Sequence, residues 1–247
     1  MISLLVPTRG RPDWVKRFLD SALENAGGEF EAVFYVDSDD ESLERYEAVL
    51  NDHDVPTKLI IGERIVLSAM WNRCSDLATG DILGHMGDDI VFRSPDWVPV
   101  VRKPFDESED KILFVHGDDG YHNARFGTHG FIHCRWMEAV GYFVPPLYSS
   151  DWNDQHLNDL ADALGRRIHL PTLYTEHLHY VFGKAPRDAT YAEREERGAR
   201  DNVMALYYSE RCQAQRAEDV EKLRAVITGV AIENALYNRD CEESEAW

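Results

Sequence analysis

Four short, β-prone apolar runs recur through the first 92 residues, separated by segments whose apolar positions repeat at helical spacing. Ile2–Val6, Glu31–Val36, Thr57–Ile61 and Ile82–Met86 are each too short for a stable helix, and turn formers such as Pro7, Gly80 and Gly87 punctuate them. Between the first two, Trp14, Val15, Phe18, Leu19, Ala22 and Leu23 follow Asp13, a residue that can cap a helix. Glu44–Leu50 and Ser68–Leu77, the latter carrying Met70, Trp71, Cys74 and Leu77, supply two more helices. Strand and helix in strict alternation imply an α/β fold with a Rossmann-like, mostly parallel central sheet flanked by helices. Runs as uniformly apolar as Ile2–Val6 fit strands buried on both faces.

In open α/β sheets ligands collect beyond the carboxyl ends of the strands, so the residues there carry the functional argument. Pro7-Thr8-Arg9-Gly10-Arg11 follows the first strand, Asp37-Ser38-Asp39-Asp40-Glu41 the second and Gly87-Asp88-Asp89 the fourth. Two adjacent carboxylates suit a hard divalent cation carrying a phosphate, although Gly-Asp-Asp is also ordinary turn chemistry. Asp37 can accept hydrogen bonds from a base or ribose, while the acids after it favour the start of the next helix. Arg9 and Arg11 suit a phosphate or nucleotide; loop arginines can equally be merely solvated.

Beyond residue 92 the pattern loosens. Asp96–Val101 reads as a short helix, Lys111–His116 and Phe131–His133 as strands, Gly117–Gly120 as a turn and Trp136–Val140 as a helix ended by Gly141. Pro145-Pro146 breaks the chain before Ser149-Ser150-Asp151 and a helix over Trp152–Leu164. Leu173–Tyr180 alternates as a strand that puts Thr175, His177 and His179 on one side. From Tyr191 to about Tyr237 the chain is proline-free and rich in Ala, Glu, Arg and Leu, which predicts a C-terminal helical extension. An interruption near Arg211–Asp219 divides it into two helices, packed on the core or against a second copy as a homodimer. The expected organisation is one domain over 1–191, with a nucleotide-binding half (1–92) and a second half (93–191), and a helical extension over 192–247.

Composition narrows the partners. Against 26 basic residues stand 45 acidic ones, a formal net charge of -19, and such a field repels duplex DNA and anionic membrane surfaces. No apolar run approaches the roughly 20 residues that cross a bilayer, and the N-terminus lacks a basic segment followed by a long apolar one. Cys74, Cys134, Cys212 and Cys241 are scattered without metal or redox spacing. The expectation is a cytoplasmic protein with reduced thiols and no membrane span.

Val6-Pro7-Thr8-Arg9, Val36-Asp37-Ser38-Asp39, Asn72 through Ala78-Thr79-Gly80-Asp81 and Gly87-Asp88-Asp89, in that order, resemble a GT-A fold nucleotide-sugar glycosyltransferase of the family 2 kind. Ser150-Asp151 and His177-Leu178-His179 extend the resemblance to about residue 191. It implies a metal-dependent, inverting transfer of the hexosyltransferase type from a nucleotide-sugar, expected to be a UDP-sugar, to a hydroxyl of a small glycoside, sugar or protein. By that resemblance Pro7, Thr8, Arg9, Asp37, Asp39 and Asn72 contribute to nucleotide-sugar binding, and Asp88 contacts the ribose or sugar. Asp89 would bind Mn2+ or Mg2+, with His177 or His179 completing the shell. Asp151 would be the base that deprotonates the acceptor, with Asp154 in reserve and Trp152 as an apolar platform for a sugar ring. Lys184 would bring positive charge on a mobile segment over the diphosphate. Two departures stand out: the family's fullest pattern has a third acid where this chain has Gly87, and a Glu-Asp pair where it has Ser150-Asp151. A nucleotidyltransferase and a non-catalytic scaffold of the same fold are the alternatives.

Overall fold

The computed structural model describes the backbone of residues 1–244 and the side chains through Val230. Its elements, in chain order, are β1 (Ile2–Thr8), α1 (Pro12–Glu24), β2 (Phe30–Asp37), α2 (Leu43–Asn51), β3 (Thr57–Gly62), α3 (Leu67–Leu77), β4 (Ile82–His85), β5 (Ile90–Phe92), α4 (Trp97–Glu107), β6 (Phe114–Asp118), β7 (Gly130–His133), α5 (Cys134–Val140), α6 (Asn153–Leu164), β8 (Arg167–His177), α7 (Ala189–Arg200), α8 (Val203–Tyr208) and α9 (Glu210–Ser244). They form an eight-stranded sheet in the order β3-β2-β1-β4-β7-β6-β8-β5. The first four strands are parallel, β7 is antiparallel to both neighbours, β6 and β8 are parallel, and β5 closes the edge antiparallel to β8. This is the α/β architecture expected, with a mixed second half.

Every residue of β1 and β2 is buried, because helices cover both faces of the sheet. Ile2, Leu4 and Val6 point into one core with Phe18, Phe34, Phe92 and Trp97, between the sheet and α1, α2 and α4. Leu5 and Val33 point the other way, to Trp71, Cys74, Trp136, Leu157 and Leu223, beneath α3, α5, α6 and α9. This two-residue alternation fixes which side chains at each strand end face the ligand side.

The tail departs from expectation in one respect. The helix does not break at Arg211–Asp219, which lies inside α9; the breaks fall at Asn202, in the left-handed region (φ 48°), and at Ser209, whose hydroxyl accepts from Cys212 N at 3.3 Å. The apolar periodicity is interrupted because the helix buries a polar group there. Asp219 is fully buried, accepts from Tyr142 Oη and Gln215 Nε2, and lies 3.4 Å from His156 Nε2, whose other ring nitrogen meets Tyr148 Oη at 3.1 Å. With Val220, Leu223, Val226 and Ile227 packed on the second core, the described part of α9 is spent on its own chain. Removing one member of a buried network strands the others, so Asp219→Ala is expected to lose about 2–4 kcal/mol and some 5–12 °C of Tm, measurable by calorimetry. The boundary drawn at 191 falls inside α7, which Asp188 caps by accepting from Tyr191 N at 3.0 Å. Cys241 and residues 245–247 lie outside the side chains or backbone described. Among the described residues no helix is long and apolar enough to cross a membrane.

Candidate active site

The ends of β1, β2 and β4 meet over a cavity of about 200 Å³ lined by Pro7, Thr8, Arg9, Asp37, Asp88, Asp89, Asp154 and His177, among others. Trp71 Nε1 ties the two central strands there, donating to Leu5 O at 3.2 Å and Met86 O at 3.1 Å. The chain then turns at Gly87, which explains the missing third acid: a Cβ on Gly87 would sit 2.6 Å from Asp89 Oδ1. Pinned by this turn, Asp88 and Asp89 are both buried.

Each acid has a partner. Asp88 accepts from Thr8 Oγ1 at 2.7 Å and from Arg11 Nη1 at 2.9 Å. Burial and the adjacent Asp89 charge raise its pKa in spite of Arg11. Asp89 Oδ2 lies 3.1 Å from His177 Nε2 and accepts from Tyr191 Oη at 2.8 Å. Burial works against its charge, but His177, His129 and the Tyr191 phenol together outweigh burial and hold its pKa well below the usual carboxylate range. For His177 burial again opposes the charged form, and Asp89 reverses the sign, leaving the imidazole pKa raised. Asp37 is 1% exposed; Arg9 Nη1 donates to its Oδ2 at 2.9 Å and to Asp39 Oδ1 at 2.6 Å, while Asp37 Oδ1 is buried without a partner. An unpartnered buried acceptor on a cavity wall suits the N–H or O–H of a base or ribose.

The two halves of the β8 histidine motif diverge. His177 ends β8 and meets Asp89, whereas His179 lies beyond the strand, its Nδ1 accepting from Val181 N at 3.2 Å and its Nε2 3.3 Å from Arg194 Nη2. The histidine that joins Asp89 and His177 instead is His129: one ligand atom from each of the three lies within 4.8 Å of the others. Burial pushes the His129 pKa well down. Nothing in the sequence marks His129, a lone histidine in a loop before β7.

Several expected positions are engaged elsewhere. Asn72 does not line the cavity; its Oδ1 accepts from Phe143 N at 2.9 Å and Val144 N at 3.1 Å and its Nδ2 donates to Val144 O at 2.9 Å, so its amide secures that loop. Lys184 does not line it either, being paired with Glu176 at 3.0 Å. Asp151 stands outside α6 rather than at its head, because Trp152 takes a left-handed conformation (φ 80°) that starts the helix at Asn153. It lines the cavity, but its side chain is 46% exposed and pairs with Arg194 at 3.5 Å. Asp154, in the first turn of α6, lines the same cavity, and its pKa is raised to about 6, chiefly by burial and then by the Asp151 charge, against the hydrogen bond it accepts from Gln155 N. Trp152 also lines the cavity and stacks on Tyr207 with ring centroids 4.5 Å apart.

α7 covers this cavity. Asp188 takes Arg11 in a bidentate pair, 2.7 Å on both oxygens, Thr190 Oγ1 donates to Arg9 O at 2.8 Å, and Tyr191 reaches Asp89.

A parallel βα half with acids at its strand ends, extended by a mixed half that brings a histidine to them, is the GT-A arrangement. The family model for glycosyl transferase family 2 matches residues 3–154, and the chain belongs to that family. Solved structures agree on the fold. The mannosyltransferase PcManGT from Pyrobaculum calidifontis, in complex with GDP-Man and Mn2+, is 15% identical with a TM-score of 0.61 over 98% of this chain and 80% of its own. TarS from S. aureus, in complex with UDP-GlcNAc, is 14% identical with a TM-score of 0.52 over 94% of this chain and 92% of its own. No curated protein sequence matches the chain.

Proposed function

We propose that the protein is a metal-dependent, inverting glycosyltransferase that moves a sugar from a nucleotide-sugar, preferably a UDP-sugar, to an acceptor hydroxyl in the cytoplasm. The observation that carries this reading is the convergence on one cavity of Asp37, Asp88, Asp89 and His177, from the ends of three strands, β2, β4 and β8, with two further acids, Asp151 and Asp154, in the same lining. Asp37, with Arg9 and Asp39 around it, takes the base and ribose, and Pro7 and Thr8 wall that end. Asp88 faces the ribose or sugar once Arg11 releases it. Asp89 and His177 fit a divalent ion: a carboxylate and an imidazole are a donor set that favours Mn2+ over Mg2+. Bound there, the ion would neutralise the departing diphosphate.

Asp154 is the acceptor base in this reading, in place of Asp151. A base has to be within reach of the bound hydroxyl and to hold a pKa near the working pH; both acids line the cavity, but Asp154 is held at about 6 and carries no ion pair among the described residues, whereas Asp151 is half-exposed and paired with Arg194. Trp152, held beside the cavity by Tyr207, supplies the apolar face for the acceptor ring. A glycoside, sugar or protein hydroxyl fits the charge of -19 better than a polyanion does. Incubation with nucleotide-sugars and Mn2+ but no acceptor is expected to release nucleoside diphosphate slowly. Pyrophosphate-dependent exchange instead would identify a nucleotidyltransferase.

A further inference from the structure

Gly87 stands where the family's fullest pattern has a third acid, and another residue packs against it. The position a Cβ would take on Gly87 is 3.3 Å from His129 Nε2, so the imidazole from the β7 approach occupies the space where the side chain of an acid would stand. His129 is 9% exposed and His177 8%, their rings meet edge to face with centroids 4.7 Å apart, and the Nδ1 of each is buried without a hydrogen-bond partner. A ring nitrogen buried without a partner costs stability, and one ligand atom from each of His129, His177 and Asp89 lies within 4.8 Å of the others. Behind it His85, also buried and packed against Trp71 at 4.0 Å, closes the wall with a further ring, 6.3 Å from His129.

We propose that His129 is the third protein ligand of the metal, so that Asp89, His129 and His177 form a preformed two-histidine, one-carboxylate site that binds a first-row transition ion before any nucleotide arrives. This rests on the metal-dependent reading above and goes beyond it in three respects: the ligand, the order of binding and the choice of ion. A site relying on one acid and the donor phosphates would depend on the nucleotide; three convergent protein ligands do not. Two imidazoles among the three also select Mn2+ over Mg2+, which keeps to oxygen ligands and water. The ion would displace the Tyr191 phenol from Asp89, which couples metal binding to release of α7.

The test uses the full chain with Mn2+ alone. The unmodified protein is expected to bind one Mn2+ without nucleotide, with two imidazole nitrogens coupled to the ion in pulsed electron paramagnetic resonance. His129→Gln, which keeps the volume, should lose one nitrogen coupling and weaken Mn2+ binding at least 10-fold. Tenfold excess Mg2+ should leave Mn2+ bound in the unmodified protein and displace it from the variant. A single coupled nitrogen in the unmodified protein overturns the proposal whether or not the variant folds, as does unchanged Mn2+ affinity in a folded variant. Failure of this inference alone would leave nucleotide-dependent Mn2+ binding and donor hydrolysis intact, whereas failure of the underlying reading would remove both.

Discussion

Asp89→Ala is expected to abolish the stabilisation that Mn2+ and a nucleoside diphosphate confer together, and to lower sugar transfer by about 100- to 1,000-fold. Asp89 is the one acid of the cavity that meets both His177, at 3.1 Å, and the covering phenol of Tyr191, at 2.8 Å, so its loss removes the anionic member of the site. At 100 times the dissociation constant a ligand adds about 2.7 kcal/mol by mass action, roughly 5–10 °C for a chain of this size. The quantity to compare is this shift and not the Tm itself, because the substitution also strands the buried phenol and alters the ligand-free protein. The rate effect corresponds to about 3–4 kcal/mol of transition-state charge stabilisation. A variant with an undiminished shift would place the ion elsewhere.

The second large effect separates two acids three residues apart. Asp154→Asn is expected to reduce transfer by about 100- to 10,000-fold while nucleotide binding and the Mn2+ shift persist. Asp151→Asn, which removes only a half-exposed partner of Arg194, should stay within a few-fold. The pH profile gives an independent reading. A base acts only when deprotonated, so with Asp154 raised to about 6 the rate should fall as pH drops through that value and level off above it. Stability runs the other way: a carboxyl whose folded pKa lies above its unfolded value stabilises the fold most when protonated, and that contribution fades as pH rises through about 6. Asp154→Asn should therefore cost no stability at pH 8. A reversed pattern, with Asp151→Asn inactive and Asp154→Asn near normal, would return the base to Asp151.

The parts of the molecule legible in the sequence are those where one period dominates. β1 and β2 are buried on both faces and flanked by turn formers, so their apolar runs and the acids ending them are visible residue by residue. The rest was hidden for identifiable reasons. Asp151 and Asp154 both stand near the start of one helix and both line the cavity, and the left-handed turn at Trp152 leaves Asp151 outside the helix and Asp154 in its first turn. The buried Asp219 breaks the apolar pattern of α9 without breaking the helix. Asn72, a polar residue on a helix beside the site, is used by the backbone of residues 143 and 144. His129 reaches Asp89 and His177 only because β7 runs antiparallel beside β4, a long-range pairing that no local motif records.

A crystal structure of the protein with a UDP-sugar and Mn2+, with anomalous data at the manganese edge, tests the central claim most directly. The account predicts a manganese peak within coordination distance of Asp89 and His177, the diphosphate against it, the base at Asp37 and Tyr191 withdrawn from Asp89. A nucleotide bound away from the ends of β1, β2 and β4, or a manganese peak with no ligand from Asp89, would contradict it.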